Sequence, residues 1–164
     1  DYDTLARFAR NADGKVIPRE LVEKMNKASY FDLGMQDMRQ FGLSSISLNL
    51  HRGPAPADLG ARARELDARF AILPYPDWVQ MQDSFPHLAN YSAFYYTYQW
   101  SKVIADDLFT AFQQHGLRDR ATALRYRQLV LAPGGTKPAA ELVQAFLGRP
   151  ISLDAYKAEL AKDR

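Results

Sequence analysis

The amino-acid sequence predicts an all-α fold, an irregular array of helices within a single domain that spans residues 1–164. Apolar residues recur at helical spacing through most of the chain, and proline and glycine fall where such helices begin or end. A strand would need alternating residues with turn signals on both sides, and the sequence offers no such run. The 47% apolar and 24% charged content is that of an ordinary globular protein.

Local signals set the helix boundaries in chain order. We expect helices over residues 2–11, 18–27, 30–50, 57–70, 91–115, 119–131 and 136–147, and from residue 152 into the charged tail 161–164. Thr136 and Ser152 are the predicted N-caps of the last two helices, and Gly148 closes the one between them. The stretch Leu43–His51 alternates in polarity, but no turn signal precedes it, so it is predicted helical.

One long irregular segment, residues 71–90, interrupts this pattern. It carries three prolines and leads directly from His87 into the next predicted helix. Loops of this length inside a compact domain are uncommon and often functional.

The helix predicted after this loop organises the rest of the chain. On it Tyr91, Tyr95 and Tyr98 share one stripe, and the first four turns are apolar or aromatic nearly all round. Such a helix belongs inside a large protein, whereas 164 residues are few to enclose it. These tyrosines are either core residues with their hydroxyls bonded to backbone, or the lining of a site.

Composition and motif spacing exclude several function classes. The net charge of +2 is too small to indicate nucleic-acid binding. No apolar run is long enough for a membrane span, and no cysteine is present for thiol chemistry. No two of the three histidines are separated by the spacing of metal ligands, and the zinc-binding motif HExxH is absent. Gly134 and Gly135 lack the strand and lysine of a phosphate-binding loop, which favours a turn.

His87 stands apart from the other histidines because it lies one turn before Tyr91, beside the row of phenols. An imidazole and two or three phenols in one space can bind a peptide carbonyl or stabilise an oxyanion.

Three segments resemble the zinc metallopeptidases of the thimet oligopeptidase and oligopeptidase A family. The segment FPHLANYSAFYYTYQWSKVIADDLFTAF, residues 85–112, is similar to the family's histidine, short loop and Tyr-x3-Tyr-Tyr-x-Tyr-x-Trp series. Downstream, YRQLVLAPGGTKPAAELVQAFLGRP resembles the family's YR, PGG[ST] and FLGR series, and GKVIPRELVEKM upstream also matches. Leu88–Asn90 stands where the family has a longer, glycine-containing loop. We expect a tight turn there, because asparagine, here Asn90, tolerates left-handed backbone angles.

The resemblance implies a helical clamshell fold with a deep channel, in which one zinc is held by HExxH and a later glutamate. Those ligands precede the matched region, so we expect residues 1–164 to be a C-terminal portion without the metal site, inactive alone, with zinc bound only in the full-length parent. The start at Asp1 instead of methionine agrees with this expectation.

The resemblance also implies roles for four residues. Tyr98 matches the tyrosine that stabilises the oxyanion, and His87 and Tyr91 match substrate-binding residues. Tyr95, between them, is a predicted channel-lining residue. The implied partners are short peptides and the missing N-terminal part of the same polypeptide.

Other properties stay open at the level of sequence. A non-catalytic helical interaction module derived from the same family is the alternative function. We expect an apolar surface around Tyr91, Tyr95 and Tyr98 and self-association of the chain. The sequence favours the cytoplasm over the periplasm or secretion without fixing the compartment.

Overall fold

The structure, a computed structural model, describes residues 1–73 and 75–163, without the side chain of Asp163. Pro74, in the predicted loop, and Arg164, at the end of the charged tail, lie outside the described residues. The predicted all-α fold is confirmed, since within those ranges the chain forms helices and turns and only an isolated bridge between Arg10 and Val16. No helix among them is long and apolar enough to cross a membrane.

Nine α-helices follow one another in the described part of the chain. They are α1 (Tyr2–Leu5), α2 (Arg19–Ala28), α3 (Leu33–Leu50), α4 (Leu59–Asp67), α5 (His87–Asn90), α6 (Thr97–His115), α7 (Arg120–Tyr126), α8 (Ala139–Leu147) and α9 (Asp154–Leu160). Short 3₁₀ turns cover Met81–Ser84, Phe94–Tyr96, Gly134–Thr136 and Ala161–Asp163, and a π turn at Arg127–Leu131 continues α7.

Most helix ends follow the capping signals of the sequence. The Asp58 carboxylate accepts the N–H of Ala61 at 2.8 Å and starts α4. Gly148 ends α8 with a left-handed φ of 72°, as predicted. Ser152 Oγ accepts the N–H of Asp154, the first residue of α9, at 3.1 Å, but the N-cap position of α9 is Leu153 and not the predicted Ser152.

The prediction that Thr136 caps the helix after it is wrong. Thr136 lies in a 3₁₀ turn, where its hydroxyl donates to the carbonyl of Pro133 at 2.7 Å. The reason is Pro138, which forces the residue before it into extended backbone, so that Lys137 has φ −135° and ψ 154° and α8 starts at Ala139.

The predicted continuous helix from Tyr91 is also wrong, because regular helix begins only at Thr97. Ser92 has a left-handed φ of 51°, and its carbonyl accepts a hydrogen bond from the Ser47 hydroxyl of α3 at 2.6 Å. The same Ser47 oxygen accepts the N–H of Tyr95 at 3.4 Å. A side chain from another helix therefore takes the backbone groups that a continuous helix would bond internally.

Two apolar clusters form the core. The first joins α3 and α4 to the loop before α5, and its members are Leu43, Ile46, Ala63, Leu66, Met81, Phe85 and Tyr95. The second joins α6 to α8 through Leu108, Ala111, Val143 and Phe146. Tyr95 belongs to the first cluster, so the start of α6 lies at its edge, and the side chains around Tyr98 are fixed on well-packed helices.

Candidate functional site

Four aromatic rings predicted to form a site lie together beside the first core cluster. The His87 ring centroid is 5.3 Å from that of Tyr91, 5.0 Å from Tyr95 and 5.9 Å from Tyr98. Tyr91 and Tyr98 stack at 5.9 Å with an interplanar angle of 27°. The structure thus brings all four residues together although no continuous helix carries them. We call this group the tyrosine cluster.

Local backbone structure positions the tyrosine cluster. Pro86 precedes α5, whose first residue is His87, and the Tyr91 N–H closes this single turn by donating to the His87 carbonyl at 2.8 Å. The expected tight turn is present, but its left-handed residue is Ser92 and not Asn90, which lies within α5. The reversal at Ser92 returns the chain, so that Tyr98 on α6 faces His87.

Tyr95 is the buried member of the tyrosine cluster. Its side chain is 8% exposed, so the expectation of an exposed surface is wrong for this residue. Its ring meets Phe85 edge-on at 5.0 Å, and its hydroxyl donates to Gln40 Oε1 at 3.1 Å. Tyr95 can be buried because Gln40 accepts the hydrogen bond of its hydroxyl group. The Tyr95 ring thereby packs against the Tyr98 ring, with the two ring centroids 4.9 Å apart.

Tyr91 and Tyr98 form the accessible face, at 46% and 44% exposure. The neighbouring Tyr91 hydroxyl, followed by burial and the charges of Tyr91 and Tyr95, raises the pKa of Tyr98 above its ordinary value. A phenol with a raised pKa keeps its proton throughout the neutral range. Tyr98 is therefore a neutral hydrogen-bond donor.

The His87 ring has one buried nitrogen without a partner. Nδ1 makes no hydrogen bond within the described ranges, while Nε2 lies 3.4 Å from the Tyr98 oxygen. A buried acceptor left unpaired costs less than a buried N–H left unpaired, which favours the tautomer with the proton on Nε2. In that tautomer Nε2 donates to the Tyr98 oxygen, and the Tyr98 proton points away from His87, toward the Tyr91 hydroxyl or a bound group.

A buried carboxylate anchors the helix turn that carries Tyr98. Asp37 on α3 is 6% exposed and accepts from Gln99 Nε2 at 2.8 Å and from the Tyr156 hydroxyl at 3.0 Å. Burial and the hydrogen bond to Asp37 raise the pKa of Tyr156 to about 12. Because Gln99 directly follows Tyr98, this contact fixes the start of α6 against α3 and α9.

The residues that the structure describes do not fit a zinc site. Among them no group of three or more histidine, cysteine, aspartate or glutamate side chains lies close enough to hold a metal ion. The chemistry of the tyrosine cluster is accordingly that of hydrogen-bond donors and aromatic surfaces.

The chain can be compared with known families at this point. The model of Peptidase family M3 matches residues 1–162, nearly the whole chain. The chain belongs to Peptidase family M3. The resemblance predicted from the sequence motifs is thereby confirmed, and with it the assignment to a family of peptide hydrolases.

Curated relatives of this M3 chain include several oligopeptidases. It is 32% identical to oligopeptidase A of Escherichia coli (strain K12) over 148 residues, which cover 87% of this chain and 22% of that protein. It is 33% identical over 140 residues to a thimet-like oligopeptidase of Dictyostelium discoideum, with 82% of this chain and 20% of that protein covered. The chain therefore spans about a fifth of the length of these relatives.

The sequence gives no signal for several residues that build this M3 site. Ser47, Gln40 and Asp37 lie 45 or more positions away from the groups that they bond, Ser92, Tyr95 and Gln99. They were predicted only as part of a helix. These polar groups lie at helix positions that face α6. They could indicate hydrogen bonds to α6 only once α3 and α6 are known to be neighbours.

Proposed function

We propose that this M3 chain forms the substrate-channel portion of a zinc-dependent oligopeptidase that hydrolyses peptide bonds in short peptides. In this proposal Tyr98 is the catalytic residue, which donates a hydrogen bond to the oxyanion that develops on the scissile carbonyl. The observation that carries the proposal is the Tyr98 hydroxyl, which is half exposed, keeps its proton at neutral pH and lies 3.4 Å from His87 Nε2.

Tyr98 suits this role because the donor has to be in place before charge develops. Tyr95 and Tyr91 pack against its ring, and Gln99 ties its helix turn to the buried Asp37. A donor held in this way stabilises the transition state without reorganising. Its raised pKa keeps it neutral, so it donates to an oxyanion without a competing charge.

The other members of the tyrosine cluster are assigned to substrate binding. Tyr91 is 46% exposed beside Tyr98 and presents an aromatic surface and a hydroxyl to a peptide. His87 orients the Tyr98 proton and lies within reach of the same space. Tyr95 was predicted to line the channel. Tyr95 is buried, and its ring packs edge-on with the ring of His87. Direct contact between Tyr95 and the substrate stays a prediction.

The zinc of this proposal belongs to a part of the peptidase outside residues 1–164. The described side chains offer no fitting ligand set, and no catalytic step is assigned to the metal from them. The relatives support a longer polypeptide, since this chain spans 22% of E. coli oligopeptidase A. We accordingly propose that residues 1–164 are inactive alone and work with the preceding part of the same polypeptide.

Replacing Tyr98 by phenylalanine in the longer peptidase tests the catalytic role. We expect kcat for a short peptide to fall by two to three orders of magnitude, about 3 kcal/mol, with KM nearly unchanged, because the lost hydrogen bond is made to the oxyanion and not to the ground state. Steady-state hydrolysis of an internally quenched peptide gives both constants.

Tyr96→Phe is the matched control for this experiment. Tyr96 is 45% exposed, as Tyr98 is, but it stacks on Phe94 outside the tyrosine cluster. It should leave kcat unchanged, and both variants should unfold at the wild-type temperature. An unchanged kcat for Tyr98→Phe removes Tyr98 from the mechanism.

The non-catalytic interaction module predicted as an alternative makes the opposite prediction. A longer polypeptide without HExxH and without hydrolysis of any short peptide would favour it. The cellular location is also a proposal. One Arabidopsis thaliana relative is named a probable cytosolic oligopeptidase A, which supports the cytoplasm, and another is named organellar.

A further inference from the structure

A cavity of about 270 Å³ opens beside the tyrosine cluster. Its lining includes His87 and Tyr95 of the tyrosine cluster together with Arg39 and Tyr75. It is smaller than the ~300–1,000 Å³ typical of sites that bury a drug-sized ligand. A cavity of this size suits the end of a peptide or one side chain better than a long segment.

Arg39 lies where this cavity meets a second one. The second cavity, also of about 270 Å³, shares Arg39 and Tyr75 with the first and is otherwise lined by Met35, Phe70 and Asp67, among others. Arg39 is thus a cationic side chain that lines both cavities, and it shares the first of them with His87.

The Arg39 guanidinium has no hydrogen-bonded or ion-paired partner among the described residues. By contrast, Arg62 and Arg149 each pair with a carboxylate. The charge of Arg39 acts on Asp67, which is 8% exposed. Burial raises the pKa of Asp67 more than the Arg39 charge lowers it.

A guanidinium presents five N–H donors in a planar fork that matches a carboxylate in a bidentate manner. Lysine offers the same charge without the fork. From the unpaired guanidinium and the cavity that leads from it to His87, we propose that Arg39 binds a carboxylate of the peptide substrate. Arg39 then fixes how far that carboxylate lies from the bond near Tyr98.

This proposal rests on the proposed function, and the carboxylate has two sources: the peptide C-terminus or an acidic side chain. Three matched peptides separate them: a free acid with glutamine near its end, the C-terminal amide of that peptide, and the amide with glutamate in place of glutamine. In the longer peptidase we expect the preferred carboxylate to lower KM about tenfold relative to the neutral amide, since paired charged hydrogen bonds are the strong ones.

Arg39→Gln should abolish this preference, so that the carboxylate peptides and the neutral amide have the same KM. Arg39→Lys should retain only part of it. Arg118→Gln, which removes the same charge from an exposed position between α6 and α7, is the control and should keep the full preference. Equal KM ratios for wild type and Arg39→Gln overturn the role of Arg39, while the proposed function stands.

A binding measurement covers the case in which the wild-type peptidase hydrolyses none of the peptides, which would reject the proposed function alone. Calorimetric titration of the 164-residue chain with the free acid and with its amide then decides. Tighter binding of a carboxylate peptide by wild type than by Arg39→Gln supports the proposal, and equal binding by both overturns it. Unfolding temperatures of the variants check that replacement of the exposed Arg39 leaves the fold intact.

Discussion

At the scale of single residues, the strongest electrostatic contact joins Asp107 in α6 to Arg149 after α8. Asp107 is 1% exposed and accepts two bonds from the Arg149 guanidinium, at 2.9 and 2.6 Å, and one from the Ser152 N–H at 2.8 Å. Burial raises the pKa of Asp107, but the bonds from Arg149 and Ser152 outweigh it, so the pKa lies below its ordinary value. The pair ties α6 to the segment between α8 and α9.

Replacing Arg149 by glutamine should lower the free energy of unfolding by about 3 kcal/mol at pH 7, because Asp107 would stay buried without its counter-ion. A depressed carboxyl pKa stabilises the fold above the unfolded pKa of about 4, and this contribution is lost as the pH falls through the lower folded pKa. The cost of Arg149→Gln should therefore shrink in acid. Urea unfolding at pH 7 and at about pH 3 measures it.

Arg118→Gln serves again as the control, since the exposed Arg118 makes no such pair within the described ranges. It should change stability little at either pH. A cost of Arg149→Gln that is the same at both pH values would show that packing, and not the charge of Asp107, is lost.

At the scale of elements, the decisive contact is the one between α3 and the chain before α6. Ser47 is fully buried, and its hydroxyl donates to the Ser92 carbonyl while accepting from the Tyr95 N–H. This one hydroxyl holds the reversal that brings His87 opposite Tyr98. The tyrosine cluster thus depends on a residue outside it, which bonds the backbone of Ser92 and Tyr95.

Ser47→Ala should lower the free energy of unfolding by about 1–3 kcal/mol, because the Ser92 carbonyl and the Tyr95 N–H lose their partner in a buried place. We also expect faster hydrogen exchange at the Tyr95 amide. Chemical denaturation and amide exchange followed by NMR check the two effects.

Ser44→Ala in the same helix is the matched control, because the Ser44 hydroxyl donates only within α3, to the Gln40 carbonyl at 2.7 Å. It should leave exchange at Tyr95 unchanged. Unaltered exchange at Tyr95 in Ser47→Ala would show that the reversal is held by local backbone preference and not by Ser47.

Local signals predicted most elements but not the break in the central helix. Asp58 and Gly148 act within a few residues of themselves, so their caps could be predicted from sequence. The run after Tyr91 contains no proline or glycine, and nothing local reveals the break at Ser92. The Ser92 carbonyl at this break is bonded by Ser47, 45 positions earlier.

At the scale of the whole molecule, the chain exposes a band of aromatic side chains along the start of α6. We call it the aromatic band: Phe94 at 59%, Tyr96 at 45%, Tyr98 at 44% and Trp100 at 46% exposure. A patch of this kind on a soluble protein marks a contact surface. The chain also spans only about a fifth of the length of its curated relatives.

We expect the chain to self-associate through the aromatic band, since burying apolar surface contributes about 25 cal/mol per Å². Sedimentation velocity over a hundredfold range of concentration should show association, and Trp100→Ser should weaken it. Trp78→Ser is the control, because Trp78 is 81% exposed in the loop before α5, away from the band. A monomer at every concentration contradicts this prediction.

The sequence by itself determined most of the helices, some of their caps and the membership of Peptidase family M3, because helical periodicity, capping groups and motif spacing are all local properties of the chain. It also placed His87, Tyr91, Tyr95 and Tyr98 in one candidate site. Only the tertiary structure decided which of these rings is buried, where α6 begins and how the Tyr98 proton is directed. Those outcomes depend on Ser47, Gln40 and Asp37 of α3, whose hydrogen bonds form only when distant segments pack together.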